Sequence, residues 1–348
     1  MSDSKARPAF AVDALTQRGL ATAKALWWGA TGTAAKALLR ERDAAPVRAN
    51  APPPPRERLR AAYFTAFAKD ARDVAEGLYP AVEDEPSDPV AAFRRAADFL
   101  SDAKAVDARR RRKGGVEARE GADSEAYPVY YRQNFHYQSG GWFTEDSARR
   151  YESQVEALFS GTAGAMRRRA LSLLAKAWRG HDHRGLRVVD IACGAGSFLA
   201  DLKATFPRAK IAGLDLSGAY LAQARRRSGV EAAVQANAER LPFADASLDA
   251  VTCIYLFHEL PPKVRPVVAA EIARVLKPGG VLAFADSVQP IDEPELARLL
   301  EVFPAFFHEP YYATYSETDL PALFEGAGLV LKGEDKAFLT KALLFEKL

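Results

Sequence analysis

The chain has 348 residues, a net charge of +3, and is 48% hydrophobic and 27% charged. That composition suits a folded catalytic unit with a sizeable extension; it excludes a disordered chain and gives no whole-molecule basic field for nucleic acid. Cys193 and Cys253 lie in apolar, strand-like runs and the five histidines never join them at ligand spacing, which argues against a disulfide framework and against zinc.

In chain order, residues 12–40 place Leu15, Leu20, Leu26, Trp27, Ala30 and Leu38 near helical spacing, with Arg18, Lys24, Lys36 and Arg40 between them. A basic amphipathic helix follows, and it leaves two readings open: peripheral contact with a membrane surface through Trp27 and Trp28, or packing on the rest of the chain. No run approaches the roughly 20 apolar residues of a membrane span. The first 42 residues have the Ala- and Arg-rich composition of a transit segment, but Asp3, Asp13 and Glu41 oppose it. The expected location is cytoplasmic, with plastid or mitochondrial targeting as the alternative.

Pro52 to Pro55 make a stiff linker, so residues 1–55 form a first segment. Helical patterns at 56–78, with Tyr63, Phe64 and Phe67, and at 89–106, with Phe93, Phe99 and Leu100, open an accessory region spanning 56–180. The basic block 109–113 is expected as a solvated loop. An aromatic group, Tyr127, Tyr130, Tyr131, Phe135, His136, Tyr137 and Trp142, reads as a cap, and further helices are expected at 151–159 and 163–178. For Arg167, Arg168 and Arg169 in the second, a solvated face and a grip on an acidic acceptor both stay open.

From 181 to 348 short β-branched runs alternate with helical patterns. Strands are expected at 188–191, 211–216, 230–236, 250–256 and 281–285, with 329–331 and 337–345 completing the sheet as an antiparallel pair. Alternation of this kind predicts an α/β fold with a doubly wound, mainly parallel sheet.

The first of these strands carries Asp190 and runs through Ala192 into Gly194 and Gly196, where Ser197 opens an apolar helix. Glycine permits close backbone approach to a ligand, and free amides at a helix start favour an electron-rich group. Asp215 ends the next strand at the height of a ribose-binding carboxylate. A dinucleotide fingerprint would need a small residue where Leu199 stands, and Asp190 before the glycines favours an ammonium group over phosphate. Both features suit a nucleoside bearing an amino acid.

The run from Val188 to Gly196 resembles the first motif of class I, Rossmann-like methyltransferases that use S-adenosylmethionine. Matching segments follow in order: 213–217 with Asp215 and Leu216, 237–243 with Asn237 and Ala238, 247–251, and 271–280. The set is most similar to the ubiquinone and menaquinone C-methyltransferase group and covers roughly the last half of the chain. The resemblance implies a sheet order of 3-2-1-4-5-7-6 with the seventh strand antiparallel. It also implies S-adenosyl-L-methionine as cofactor, with Asp190, Ala192, Gly194, Gly196, Asp215, Leu216, Asn237, Ala238 and Tyr255 around it. Where Asn237 stands the family usually has Asp; the amide still offers a carbonyl acceptor.

Methyl transfer from a sulfonium is an in-line displacement that depends on holding donor and nucleophile in line. An acidic acceptor gains from a nearby base, so His258 and Glu259, just past the fourth strand, are the first catalytic candidates, followed by His308 and Tyr311. Tyr130, Tyr131, His136, Trp142, Phe307 and Tyr312 are the expected acceptor-binding side chains. The expected activity is methylation at oxygen or carbon of a small to medium, largely apolar or aromatic acceptor, with no nucleic-acid partner and no metal. Two other readings stay open: a divergent enzyme using the sulfonium in decarboxylation or cyclisation, and a non-catalytic scaffold.

Overall fold

The computed structural model describes residues 19, 22–23, 26–31, 33, 49–81, 89–118 and 127–348. Seven strands form one sheet in the order β3-β2-β1-β4-β5-β7-β6. They are β1 (Arg187–Ile191), β2 (Lys210–Asp215), β3 (Ala232–Gln235), β4 (Leu248–Ile254), β5 (Leu276–Ser287), β6 (Leu329–Ala337) and β7 (Thr340–Lys347). The first five run parallel; β7 is antiparallel to both β5 and β6. The last strand in the chain is therefore internal, and β6 takes the edge.

Alternate side chains of each strand enter opposite cores. Val188, Ile211, Ala250, Val281 and Leu344 face one core; Val189, Leu214, Val251, Leu282 and Leu343 face the other. Burial on both faces explains why these strands read as continuous apolar runs. The first core is covered by α4 (Ala163–Ala177), α5 (Ser197–Thr205) and α6 (Gly218–Ser228), the second by α7 (Arg265–Val275) and α10 (Leu320–Glu325). Strand β1 has β2 on one side and β4 on the other, so connections leave it in opposite directions and open a crevice beyond its carboxyl end.

Before the sheet come α1 (Arg56–Ala75), α2 (Pro89–Arg111) and α3 (Glu145–Leu158); within its second half lie α8 (Ala297–Phe306) and α9 (Tyr312–Ser316). Helix α3 starts at Glu145, earlier than its apolar pattern suggested, because Thr144 caps it by accepting from the Ser147 amide at 3.2 Å.

Two expectations about arginines fail. Arg109, Arg110 and Arg111 close the last turn of α2, where positive charge complements the helix dipole. Arg109 is buried: it donates to the Tyr137 carbonyl at 2.5 Å and to Glu117 at 2.8 Å, tying α2 to the aromatic segment. Arg167, Arg168 and Arg169 are neither solvated nor open to an acceptor. Arg169 is 0% exposed and donates to Asp73 at 2.7 Å and to the Tyr79 hydroxyl at 2.8 Å. Arg168 holds Asp70 with two bonds of 2.8 Å and reaches Asp201 at 3.2 Å, while Arg167 pairs with Glu152. Carboxylates on α1 thus complete charges on α4, which fastens the extension to the sheet.

Of the basic segment at 12–40, most positions, including Arg18, Lys24, Lys36 and Arg40, lie outside the described residues, as does most of the transit-like stretch. Residues 26–31 are helical; Trp28 is buried, whereas Leu26 and Trp27 are exposed. Among the described residues no helix is long and apolar enough to cross a membrane.

Candidate active site

A cleft opens beyond the carboxyl ends of β1, β2 and β4. Its floor is backbone. Ala192 and Tyr255, the first residues after β1 and β4, hold φ of 53° and 58°, a left-handed conformation that costs roughly 1–2 kcal/mol for a side-chain-bearing residue. Two neighbouring strands therefore turn sharply away at the same level and leave a hollow between them.

The two glycines have different tasks. A Cβ on Gly194 would meet nothing within 4 Å, so this residue presents bare backbone to open space in the cleft. A Cβ on Gly196 would stand 2.6 Å from the Cα of Ala224, so Gly196 lets α6 pack against the turn and does not line the cleft. Leu199 fills the space over Gly213, 2.7 Å from where a Cβ would be. The helix thus packs closely through a glycine on β2.

Asp215 lines the cleft and is positioned by two backbone donors, Gly194 N and Ser217 N, each at 2.8 Å. Burial raises its carboxyl above the usual range, against those bonds. Leu216, Asn237, Ala238 and Tyr255 complete this wall together with Ala192. Asn237 is braced by Glu239, its carbonyl accepting the Glu239 amide at 3.0 Å and its amide donating to that carboxylate at 2.9 Å. The Tyr130 hydroxyl donates to the same carboxylate at 2.7 Å. Tyr130, Tyr131, Phe135 and Trp142 close the cleft from the segment ahead of the sheet.

Asp190 stands behind this wall, not on it. It is 1% exposed and accepts from the Thr252 hydroxyl at 2.6 Å, a cross-strand contact fixed by register. Burial pushes its carboxyl up to about 7, against the lowering effect of the Thr252 bond. A group whose pKa is raised by folding adds stability below its unfolded value, and that contribution drains away as pH climbs through the folded value. For Asp190 the window runs from about 4 to about 7. Asp190→Asn should therefore gain on the native protein by about 2.5 kcal/mol more at pH 8 than at pH 5. Urea unfolding at the two pH values checks this, and an equal difference at both would refute it.

A second hollow shares Tyr151, Tyr255 and Glu259 with the first. Its walls are apolar except at one end, where Val155, Leu158, Phe159, Leu300 and Phe303 give way to His136, His258 and Glu259. Asp286, at the end of β5, organises that end. Its Oδ2 accepts from the amides of Phe257 at 2.8 Å and His258 at 3.3 Å, and its Oδ1 lies 2.6 Å from His258 Nδ1. Burial opposes charge on His258, but the Asp286 carboxylate and its hydrogen bond outweigh it and hold the imidazole pKa at about 10. His258 therefore carries its proton at neutral pH. Its Nε2 lies 3.7 Å from Glu259, and His136 Nε2 lies 3.5 Å from Glu259 and 3.0 Å from Glu309. Burial, reinforced by the charge of Glu259, pushes the Glu309 carboxyl up to about 8.

His258, Glu259, His136 and Tyr312 thus come together, with Tyr312 also on the second hollow. His308 and Tyr311 line neither cavity. His308 Nε2 lies 2.8 Å from the side-chain Oε1 of Gln133, whose Nε2 in turn donates to the Tyr311 hydroxyl at 3.3 Å, so the pair braces the aromatic segment. Tyr130, Tyr131 and Trp142 face the first cleft, and Phe307 borders a third hollow. Sequence reasoning missed Asp286, Glu309 and Tyr151. Asp286 had a usable signal, a carboxylate ending a parallel strand like Asp190 and Asp215. Glu309 sits among aromatics, and Tyr151 on a helix face that has no distinguishing pattern.

A mainly parallel seven-stranded sheet with a bare-backbone turn after β1 and a half-buried carboxylate ending β2 defines a Rossmann-like nucleoside-binding domain. The profile of a methyltransferase domain family matches residues 188–280. The chain is 38% identical to a fatty-acid O-methyltransferase of Mycolicibacterium smegmatis over 35% of this chain and 45% of that protein. It is 35% identical to a demethylmenaquinone methyltransferase of Beutenbergia cavernae over 42% and 57%. With an uncharacterized methyltransferase of Synechocystis it shares 32% identity over 42% of this chain and 68% of the relative. The chain spans about half the length of the first two of these relatives. It belongs to the class I S-adenosylmethionine-dependent methyltransferases.

Proposed function

We propose that the protein methylates oxygen or carbon of a small to medium acceptor that combines apolar surface with an acidic oxygen. The observation that carries this reading is the pair of adjoining hollows, one with nucleoside-binding features and one apolar, sharing Tyr151, Tyr255 and Glu259. The first fits S-adenosylmethionine: open space faces Gly194, Asp215 offers a carboxylate at ribose height, and Asn237 keeps a carbonyl for an adenine amino group. When bound, that group supplies a methyl on a sulfonium.

The protein's own task is then alignment and charge. Asp215 and the Gly194 backbone hold the nucleoside end, and Tyr151, which borders both hollows and has Trp142 packed edge-on against it, offers aromatic surface from which a positive charge gains. His258, protonated and anchored by Asp286, pairs with the ionised oxygen of the acceptor and so favours its nucleophilic form. Leu158, Phe159, Leu300 and Phe303 desolvate the remainder of the acceptor. A relative named as a fatty-acid O-methyltransferase acts on such a molecule, an acidic oxygen on an apolar body.

His258→Ala is expected to lower kcat by about 100- to 1,000-fold with cofactor affinity unchanged within a few-fold. Single-turnover assays with a panel of phenolic, enolic and carboxylic acceptors, beside calorimetry with the cofactor, test it. Absence of S-adenosylhomocysteine with every acceptor, or an equal loss of binding and turnover, would overturn the assignment.

A further inference from the structure

We propose that His136, Glu259 and Glu309 form a site for one divalent transition-metal ion, Mn²⁺ or Zn²⁺, at the polar end of the second hollow. One ligand atom from each lies within 4.8 Å of the others, and the imidazole nitrogen is 3.0 Å from one carboxylate and 3.5 Å from the other. With metal–ligand bonds of about 2.0–2.2 Å, neighbouring ligands of one ion stand roughly 3 Å apart, so small side-chain rotations close the set. An imidazole with two carboxylates is a mixed nitrogen and oxygen donor set, which suits these ions better than Ca²⁺ or Mg²⁺.

A second observation points the same way. Glu309 is only 4% exposed, yet among the described residues neither of its carboxylate oxygens accepts a well-aligned hydrogen bond, the 3.0 Å approach of His136 Nε2 included, and Oε2 of Glu259 is likewise buried without a donor. The competing explanation is an imidazolium bridging two acids. His136 Nε2 carries at most one proton, and the proton that burial favours on Glu309 makes no hydrogen bond to Glu259 among the described residues, so the three oxygens are not all served. A dication satisfies several at once. The three residues come from three separate segments, so no sequence spacing announces them.

His136 and Glu259 line the second hollow, so the remaining coordination positions of the ion are offered there, to an oxygen donor on the acceptor. That last step rests on the methyl-transfer reading; ion binding itself does not.

Full-length protein stripped with chelator is titrated with MnCl₂ and, separately, ZnCl₂ by calorimetry. One ion per chain is expected. Changes one shell out already cost about 10- to 100-fold in metal affinity, so Glu309→Gln and His136→Ala should exceed that loss. Asp215→Ala should keep the ion while losing the cofactor, which separates failure of this proposal from failure of the enzymatic one. No saturable binding to the native protein, or the native affinity in Glu309→Gln, would overturn the site. Should either ligand variant fail to fold, Co²⁺ added to the native protein decides: a protein-bound visible spectrum removed by Zn²⁺ supports the site, and the spectrum of the aqueous ion refutes it.

Discussion

Arg169→Ala is expected to cost about 3–5 kcal/mol of unfolding free energy, the largest stability loss of any single substitution considered for this chain. Arg169 and Asp73 are both 0% exposed, 2.7 Å apart, and Asp335 approaches the same guanidinium at 3.3 Å. Removing the arginine leaves the exposed Arg72, 3.9 Å away, as the remaining counter-charge of the buried Asp73 carboxylate, while Tyr79 loses its donor and, among the described residues, one oxygen of Asp73 already lacks one. Burial and the nearby Asp70 raise the Tyr79 hydroxyl, so it stays neutral and adds no further negative charge to the cluster. The effect should also be directional. Helix α1 contributes Asp70 and Asp73, so its amides should lose hydrogen-exchange protection before those of β1 and β4 do. A double variant, Arg169→Met with Asp73→Leu, should recover much of the loss, because apolar groups of similar size avoid the desolvation cost. Urea unfolding of the three proteins measures this, and a single variant within 1 kcal/mol of native would show that the buried pair does not fasten α1.

Asp215→Ala is expected to weaken S-adenosylmethionine binding by about 100- to 1,000-fold, on the proposal that this carboxylate receives both ribose hydroxyls. Each hydrogen bond to a charged group contributes about 1.5–3 kcal/mol, and 1.4 kcal/mol is a factor of ten. The structure adds a second reason. Asp215 also accepts from the amides of Gly194 and Ser217, so the same change removes the strut that keeps the glycine turn open. Asp215→Asn should fall between the two, since an amide oxygen still accepts from one side while its NH₂ meets a backbone donor. Calorimetry on all three distinguishes the outcomes, and unchanged affinity in Asp215→Ala would remove the basis for placing a nucleoside in this cleft.

The α/β alternation and the glycine turn were legible because they are local. Val188, Val189 and Ile191 announce a strand buried on both faces, and Gly194 announces bare backbone, within a few residues of each other. Exact strand ends were less legible: β5 begins at Leu276, not at 281, because Leu248 pairs with Leu276 and draws the preceding turn into the sheet. The cleft residues after β1, β2 and β4 could be named in advance because carboxyl ends of parallel strands all open on one side.

What the sequence determined by itself is the sheet, its turn at Gly194 and the carboxylate at its second strand, since each depends on residues adjacent in the chain. Only the tertiary structure decided which charges are buried and which meet. Arg169 finds Asp73 from 96 residues away, and His258 finds Asp286 from 28. It also decided that Gly196 serves packing, that Asp190 stands behind the wall, and that His308 braces the cap. The physical reason is common to all of these: a charged or polar side chain carries no periodic signature, and its role follows from the partner and the desolvation that folding imposes on it.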